Sequence, residues 1–165
     1  MRWGAEQVVL PSYIVIRCNC MKDLSLDEYR ALAEFRHQVR RFLAFSEDQS
    51  RLLGLEPQQH QLLLAIKGLP ESATASIGQL ADRLQLKHHS TVELVNRLEK
   101  QGYVARELSP KDRRQVIVHL TSSGASVLRQ LSLAHHQELE TAGPRLAKAL
   151  SAIARQHRGK RETAA

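Results

Sequence analysis

Residues 80–124 read LADRLQLKHHSTVELVNRLEKQGYVARELSPKDRRQVIVHLTSSG, and this stretch changes structural period twice. It opens on two helical patterns, Gln79–Gln85 and His88–Gln101, separated by a short break. A strand, Tyr103–Glu107, follows, then a turn rich in proline and charge, then a second alternating strand, Gln115–Leu120. Two helices at a tight turn, followed by a hairpin with a basic tip, is the layout of a winged helix-turn-helix. The expected fold class is therefore mainly α with a small β-hairpin wing, flanked by further helices.

The second helix of the pair divides into two faces. Thr91, Leu94, Val95 and Leu98 form an inward stripe, while His89, Val92, Glu93, Asn96 and Lys100 fall at helical spacing on the opposite side. The outer face has the chemistry to read a base edge. Asn96 can pair with adenine, Glu93 can accept from the amine of cytosine, and Val92 can meet a thymine methyl. Lys87, His88, His89, Ser90 and Arg97 sit at the helix N-terminus or flank, suited to phosphate or base-edge contacts. A solvated amphipathic face is the bland alternative, and the hairpin that follows weighs against it. In that hairpin Val104, Ile117 and Leu120 are the expected packed face. Lys111, Arg113 and Arg114 concentrate positive charge on the tip, where Asp112 can brace one arginine and aim it at a minor groove.

Composition agrees with a polyanionic partner. The 165 residues carry 24 Lys and Arg against 17 Asp and Glu, a net charge of +7, which favours nucleic acid. Aromatic residues make up only 4%, too few for the stacking platforms of a single-strand binder. Cys18 and Cys20 are too few and too close for a disulfide framework. The apolar run before them is too short to span a membrane and is interrupted by Pro11 and Ser12, so a cytoplasmic protein is expected. Ser25 and Glu28 form a capping box, and Met21 shortly before it is the expected start of the working protein, with residues 1–20 an upstream extension.

The remaining helices follow from their punctuation. A long helix is expected from Leu26 to Leu53, stopped by Gly54. A second, Gln58 to Lys67, is bounded by Pro57 and Gly68, and Leu62, Leu63, Leu64 and Ile66 make it apolar nearly all round. Ser76 and Gln79 suggest a capping box opening Ile77–Leu84. Thr121 can cap a helix running to about Ala142, where Gly143-Pro144 is expected to break it before a last helix carrying Leu146, Ala149, Leu150 and Ile153.

The runs Gln79-Leu80-Ala81-Asp82-Arg83-Leu84, Asn96-Arg97-Leu98-Glu99-Lys100-Gln101-Gly102-Tyr103-Val104-Ala105-Arg106, Asp112-Arg113-Arg114 and Leu120-Thr121-Ser122-Ser123-Gly124 closely resemble the MarR family of bacterial regulators. The resemblance covers about Leu26 to Arg158, and its most specific part is the Asp-Arg-Arg wing followed by Leu-Thr-x-x-Gly. It implies a homodimer that places one recognition helix per subunit in the major groove of a palindromic double-stranded operator and one wing in the minor groove. Arg114 takes the place of the family's minor-groove arginine, and Asp112 that of its bracing acid. Lys87-His88-His89 departs from the commoner Ser or Pro, which bears on the operator sequence. The implied organisation is a helical dimerisation lobe from residues 22–56 and 121–158, a DNA-binding lobe from 57–120, and a disordered tail over 159–165. The flanking helices point the same way on their own, because their apolar faces need a second subunit to cover them.

Such families usually bind a small, often anionic or phenolic effector between the dimer helices and the DNA-binding lobe. His37, Arg41, Phe45, His60 and Leu64 are the candidates here. The long first helix has no cysteine, so peroxide sensing of the kind seen in one branch of the family is not expected, although a thiol switch at Cys18 and Cys20 stays open. The pairs His88-His89 and His135-His136 raise a metal sensor. Adjacent helical residues point about 100° apart, poor geometry for one ion, so no metal site or cofactor is expected, and a metal-responsive regulator with its site across the dimer is kept as an alternative. No nucleophile elbow, phosphate loop or His-Glu-x-x-His spacing occurs, and catalysis is not expected. A winged helix that binds an acidic protein is the remaining competitor.

Overall fold

The computed structural model describes residues 24–70, 72–110 and 115–162, with side chains described as far as Arg155. The elements run α1 (Leu26–Leu52), α2 (Pro57–Lys67), α3 (Ile77–Leu84), α4 (His88–Lys100), β1 (Val104–Leu108), β2 (Val116–Leu120) and α5 (Ser122–Glu162). The extension up to residue 20, with Cys18 and Cys20, lies outside the described residues.

Helix starts follow the polar side chains that cap them. Ser25 Oγ accepts from Glu28 N while Glu28 Oε2 accepts from Ser25 N, the reciprocal box that opens α1. At α3 only half of the expected box forms. Ser76 Oγ accepts from Gln79 N, but the Ser76 amide is already donated to the Thr74 carbonyl. The ends of α1, α3 and α4 share one geometry. Gly54 (φ 73°), Gln85 (φ 54°) and Gly102 (φ 74°) are left-handed, and the amides of Leu55, Leu86 and Tyr103 reach back to the carbonyls of Ser50, Ala81 and Leu98. Each is a six-to-one closure of a helix C-terminus. Two use glycine, as sterics favour; the turn of the helix-turn-helix uses Gln85.

The core joins α2, α3, α4, the hairpin and the start of α5. Leu62, Leu63, Leu80, Val95, Leu98, Val118 and Leu131 are buried within it. Leu64 departs from the expectation of an apolar helix buried all round: it is 45% exposed. The hairpin pairs Val104 with Leu120, Arg106 with Val118 and Leu108 with Val116. Directly opposed residues share a face, so Val104 and Val118 point inward together. Ile117 instead faces the other side and bridges to Ser76, while the Val118 amide donates to the Ala75 carbonyl. The expected grouping of Val104, Ile117 and Leu120 mixed the two faces, because 117 and 120 differ in parity.

The expected break at Gly143-Pro144 is absent: α5 is one helix with Pro144 inside it. Pro144 lacks the amide that would bond Glu140 O, but both residues are exposed, so water can satisfy that carbonyl. Leu139, Leu146, Leu150 and Ile153 keep helical phase across the proline, and α5 packs against α1 more extensively than any other two elements pack.

At its N-terminal end α5 is fastened to the wing. Thr121 Oγ1 accepts from Gly124 N and donates to the Gly102 carbonyl, while Thr121 N donates to the Tyr103 carbonyl. A Cβ on Gly124 would lie 1.9 Å from that same Tyr103 oxygen, so the glycine is required by close backbone approach.

Candidate nucleic-acid interface

Helix α4 stands on its inner stripe. Thr91, Leu94, Val95 and Leu98 are buried, as the sequence pattern requires, and Thr91 Oγ1 donates to the Lys87 carbonyl rather than facing outward. Lys87, His88, His89, Glu93, Asn96, Arg97 and Lys100 are exposed, and Ser90 is half-buried. Val92 is half-buried too, so it is less isolated than an apolar residue on a wet face would be. It lines a groove of about 500 Å³ between α4, the start of α3 and the wing, together with Ser76, Gly78, His88, Arg106 and Gln115. The wing tip, Lys111, Asp112, Arg113 and Arg114, lies outside the described residues.

One residue of this surface escaped the sequence reading. Arg106, on β1, donates from Nη1 to Glu99 Oε2 at 3.0 Å and from Nη2 to Asn96 Oδ1 at 2.7 Å and the Val92 carbonyl at 3.3 Å. The signal was there in strand parity. Arg106 lies two residues after buried Val104 and therefore faces α4, where a guanidinium needs acceptors.

A second cavity of about 430 Å³ lies between α1, α2 and α5, lined among others by Phe42, Ser46, His60, Leu64 and His135. His60 and Leu64 line it, while Phe45 makes an edge contact with His135 at a centroid distance of 5.7 Å. His37 and Arg41 are exposed on α1 and do not line it. His60 and His135 stack at 4.8 Å. His135 Nδ1 bonds the Leu131 carbonyl, while His135 Nε2 and His60 Nδ1 are buried without a hydrogen-bond partner among the described residues. Burial, then the facing His135, pushes His60 down from 6.5 to about 4, so its ring is neutral near pH 7. Among the described residues no three His, Cys, Asp or Glu side chains gather as metal ligands, and no helix is long and apolar enough to cross a membrane.

The fold is thus a winged helix-turn-helix with two long flanking helices. Residues 53–115 match the model of the MarR family. The HTH-type transcriptional regulator YcgE of Bacillus subtilis is 40% identical over 97 residues, which span 58% of this chain and 61% of that protein. A putative transcriptional regulatory protein for the hcr operon of Thauera aromatica is 28% identical over 114 residues, 69% of this chain and 67% of that one. Among solved structures, the MarR-family regulator AbsC of Streptomyces coelicolor superposes with a TM-score of 0.64 at 22% identity, covering 84% of this chain and 99% of AbsC. A MarR mutant from E. coli, complexed with operator DNA, gives a TM-score of 0.54 at 25% identity over 72% of this chain and 85% of that chain.

Proposed function

We propose that this protein is a sequence-specific double-stranded-DNA-binding transcriptional regulator rather than an enzyme, acting in the cytoplasm. In this reading it is a homodimer that represses from a palindromic operator and is released by a small-molecule effector. The observation that carries the reading is the outer face of α4. His89, Glu93, Asn96 and Lys100 stand exposed on a helix whose opposite stripe is fully packed, at the position of a recognition helix. The net charge of +7 supplies the long-range attraction, and Lys111, Arg113 and Arg114, with Asp112 bracing, are assigned to the minor groove. Leu26, Tyr29 and Leu32 on α1, and Leu133 and Leu150 on α5, are exposed in the single chain and fit burial against a second copy. The effector is assigned to the cavity holding His60 and His135, whose bare ring nitrogens need a partner.

Selection of random DNA by the purified protein tests this. The expected product is a palindrome with half-sites about 10 bp apart, bound with an affinity that falls steeply as salt rises. Enrichment of no sequence would overturn the reading. Tight binding to an acidic protein, without any DNA preference, would favour a protein-binding winged helix instead.

A further inference from the structure

We propose that Arg106 is a positioning residue for base recognition: it fixes the Asn96 amide so that Asn96 meets the DNA as a hydrogen-bond donor. The inference rests on the reading of α4 as the recognition helix. Arginine has no acceptor, so only the oxygen of the Asn96 amide can face its guanidinium, and the bond at 2.7 Å leaves no ambiguity between oxygen and nitrogen. The acceptors Val92 O, Asn96 Oδ1 and Glu99 Oε2 lie four and then three residues apart, one stripe along α4. The guanidinium therefore lies along the helix and is held at three points rather than swinging.

Two consequences follow from this arrangement. First, the two hydrogens of Asn96 Nδ2 are the groups left to meet a base edge. They select acceptors in the major groove, namely purine N7, guanine O6 or thymine O4, and disfavour a flipped amide that would accept from cytosine N4 or adenine N6. Second, the Arg106 charge is matched by Glu99 at 3.0 Å, with the Arg106 side chain only 26% exposed. Arg106 is thus unlike Lys87, Arg97 and Lys100, which stand exposed and free to meet phosphate.

The test measures binding of the full chain to its selected operator and to fragments carrying each single base-pair change. Asn96→Ala and Arg106→Lys should both lose discrimination, by about tenfold, at the same base pair of each half-site, with other positions unchanged. Arg106→Lys keeps the charge, so its salt dependence should match the parent's. Asn96→Asp keeps an acceptor for Arg106 but has no donor. It should move the preference at that base pair to an edge presenting an amine, whatever becomes of Arg106→Lys. Circular-dichroism melting confirms that each variant is folded. Arg106→Lys weakening all positions equally would overturn the proposal, as would Asn96→Asp retaining the parent's preference. A parent that selects no DNA would instead sink the reading of α4 on which this inference rests.

Discussion

Helices α4 and α1 bury opposite things. The inner stripe of α4 hides Leu94, Val95 and Leu98 and leaves polar side chains outside. The buried positions of α1 are Glu28, Ala31, Gln38, Ser46 and Ser50, while Leu26, Tyr29, Leu32 and Leu43 are 62%, 58%, 40% and 45% exposed. The packing of α4 is therefore complete within one chain, and that of α1 is not. In the proposed reading α4 must keep its shape whether or not DNA is bound, and its finished core suits that role. In the same proposed reading, the exposed apolar side chains of α1 are left for a second copy to cover.

The largest expected effect separates the two directly. Leu98→Ala removes a side chain with no exposed surface and should cost about 2–5 kcal/mol in denaturant unfolding. Leu32→Ser should barely change the unfolding of the isolated chain, yet shift sedimentation toward the monomer at low concentration. If both substitutions acted alike on unfolding at high dilution, the contrast between the helices would collapse.

A smaller effect sits where α2 meets α1 and α5. His60 is held near 4 in the fold against 6.5 unfolded, so the unfolded chain takes up the proton first as pH falls. Its contribution to stability is complete above 6.5 and is lost as pH drops toward 4. The melting temperature should decline across that window, and His60→Leu should flatten the decline. An unchanged slope in the variant would mean that other groups carry the acid sensitivity.

The smallest effect concerns the turn between α3 and α4. A left-handed conformation costs a residue with a Cβ about 1–2 kcal/mol, whereas glycine adds about 0.5–1 kcal/mol of unfolded-state entropy. Gln85→Gly should therefore stabilise the fold by roughly 0.5–1 kcal/mol, read as a small rise in the denaturation midpoint. A lower midpoint would show that the glutamine side chain itself holds the turn.

Local signals made much of this legible. Ser25 and Ser76 announced helix starts, and the stripe of Thr91, Leu94, Val95 and Leu98 fixed which side of α4 faces inward. Features that failed to show depend on distant parts of the chain. Gln85 adopts a conformation that composition assigns to glycine, because the turn must bring α4 onto the core. Pro144 reads as a stop, yet the apolar phase of α5 continues through it against α1. Arg106 looks like one more basic residue until strand pairing turns it toward α4. The outward face of the candidate site was readable, whereas the interaction that orients Asn96 on it was not.

The fastening at Thr121 and Gly124 has a mechanical side. The wing's first residues and the first turn of α5 share their backbone bonds, and no side chain separates Gly124 from the Tyr103 carbonyl. A helix of 41 residues rising about 1.5 Å per residue is a rod of about 60 Å. A push at its far end pivots near the wing, so a few degrees of tilt at the lever's long arm must carry the hairpin with it or break those bonds.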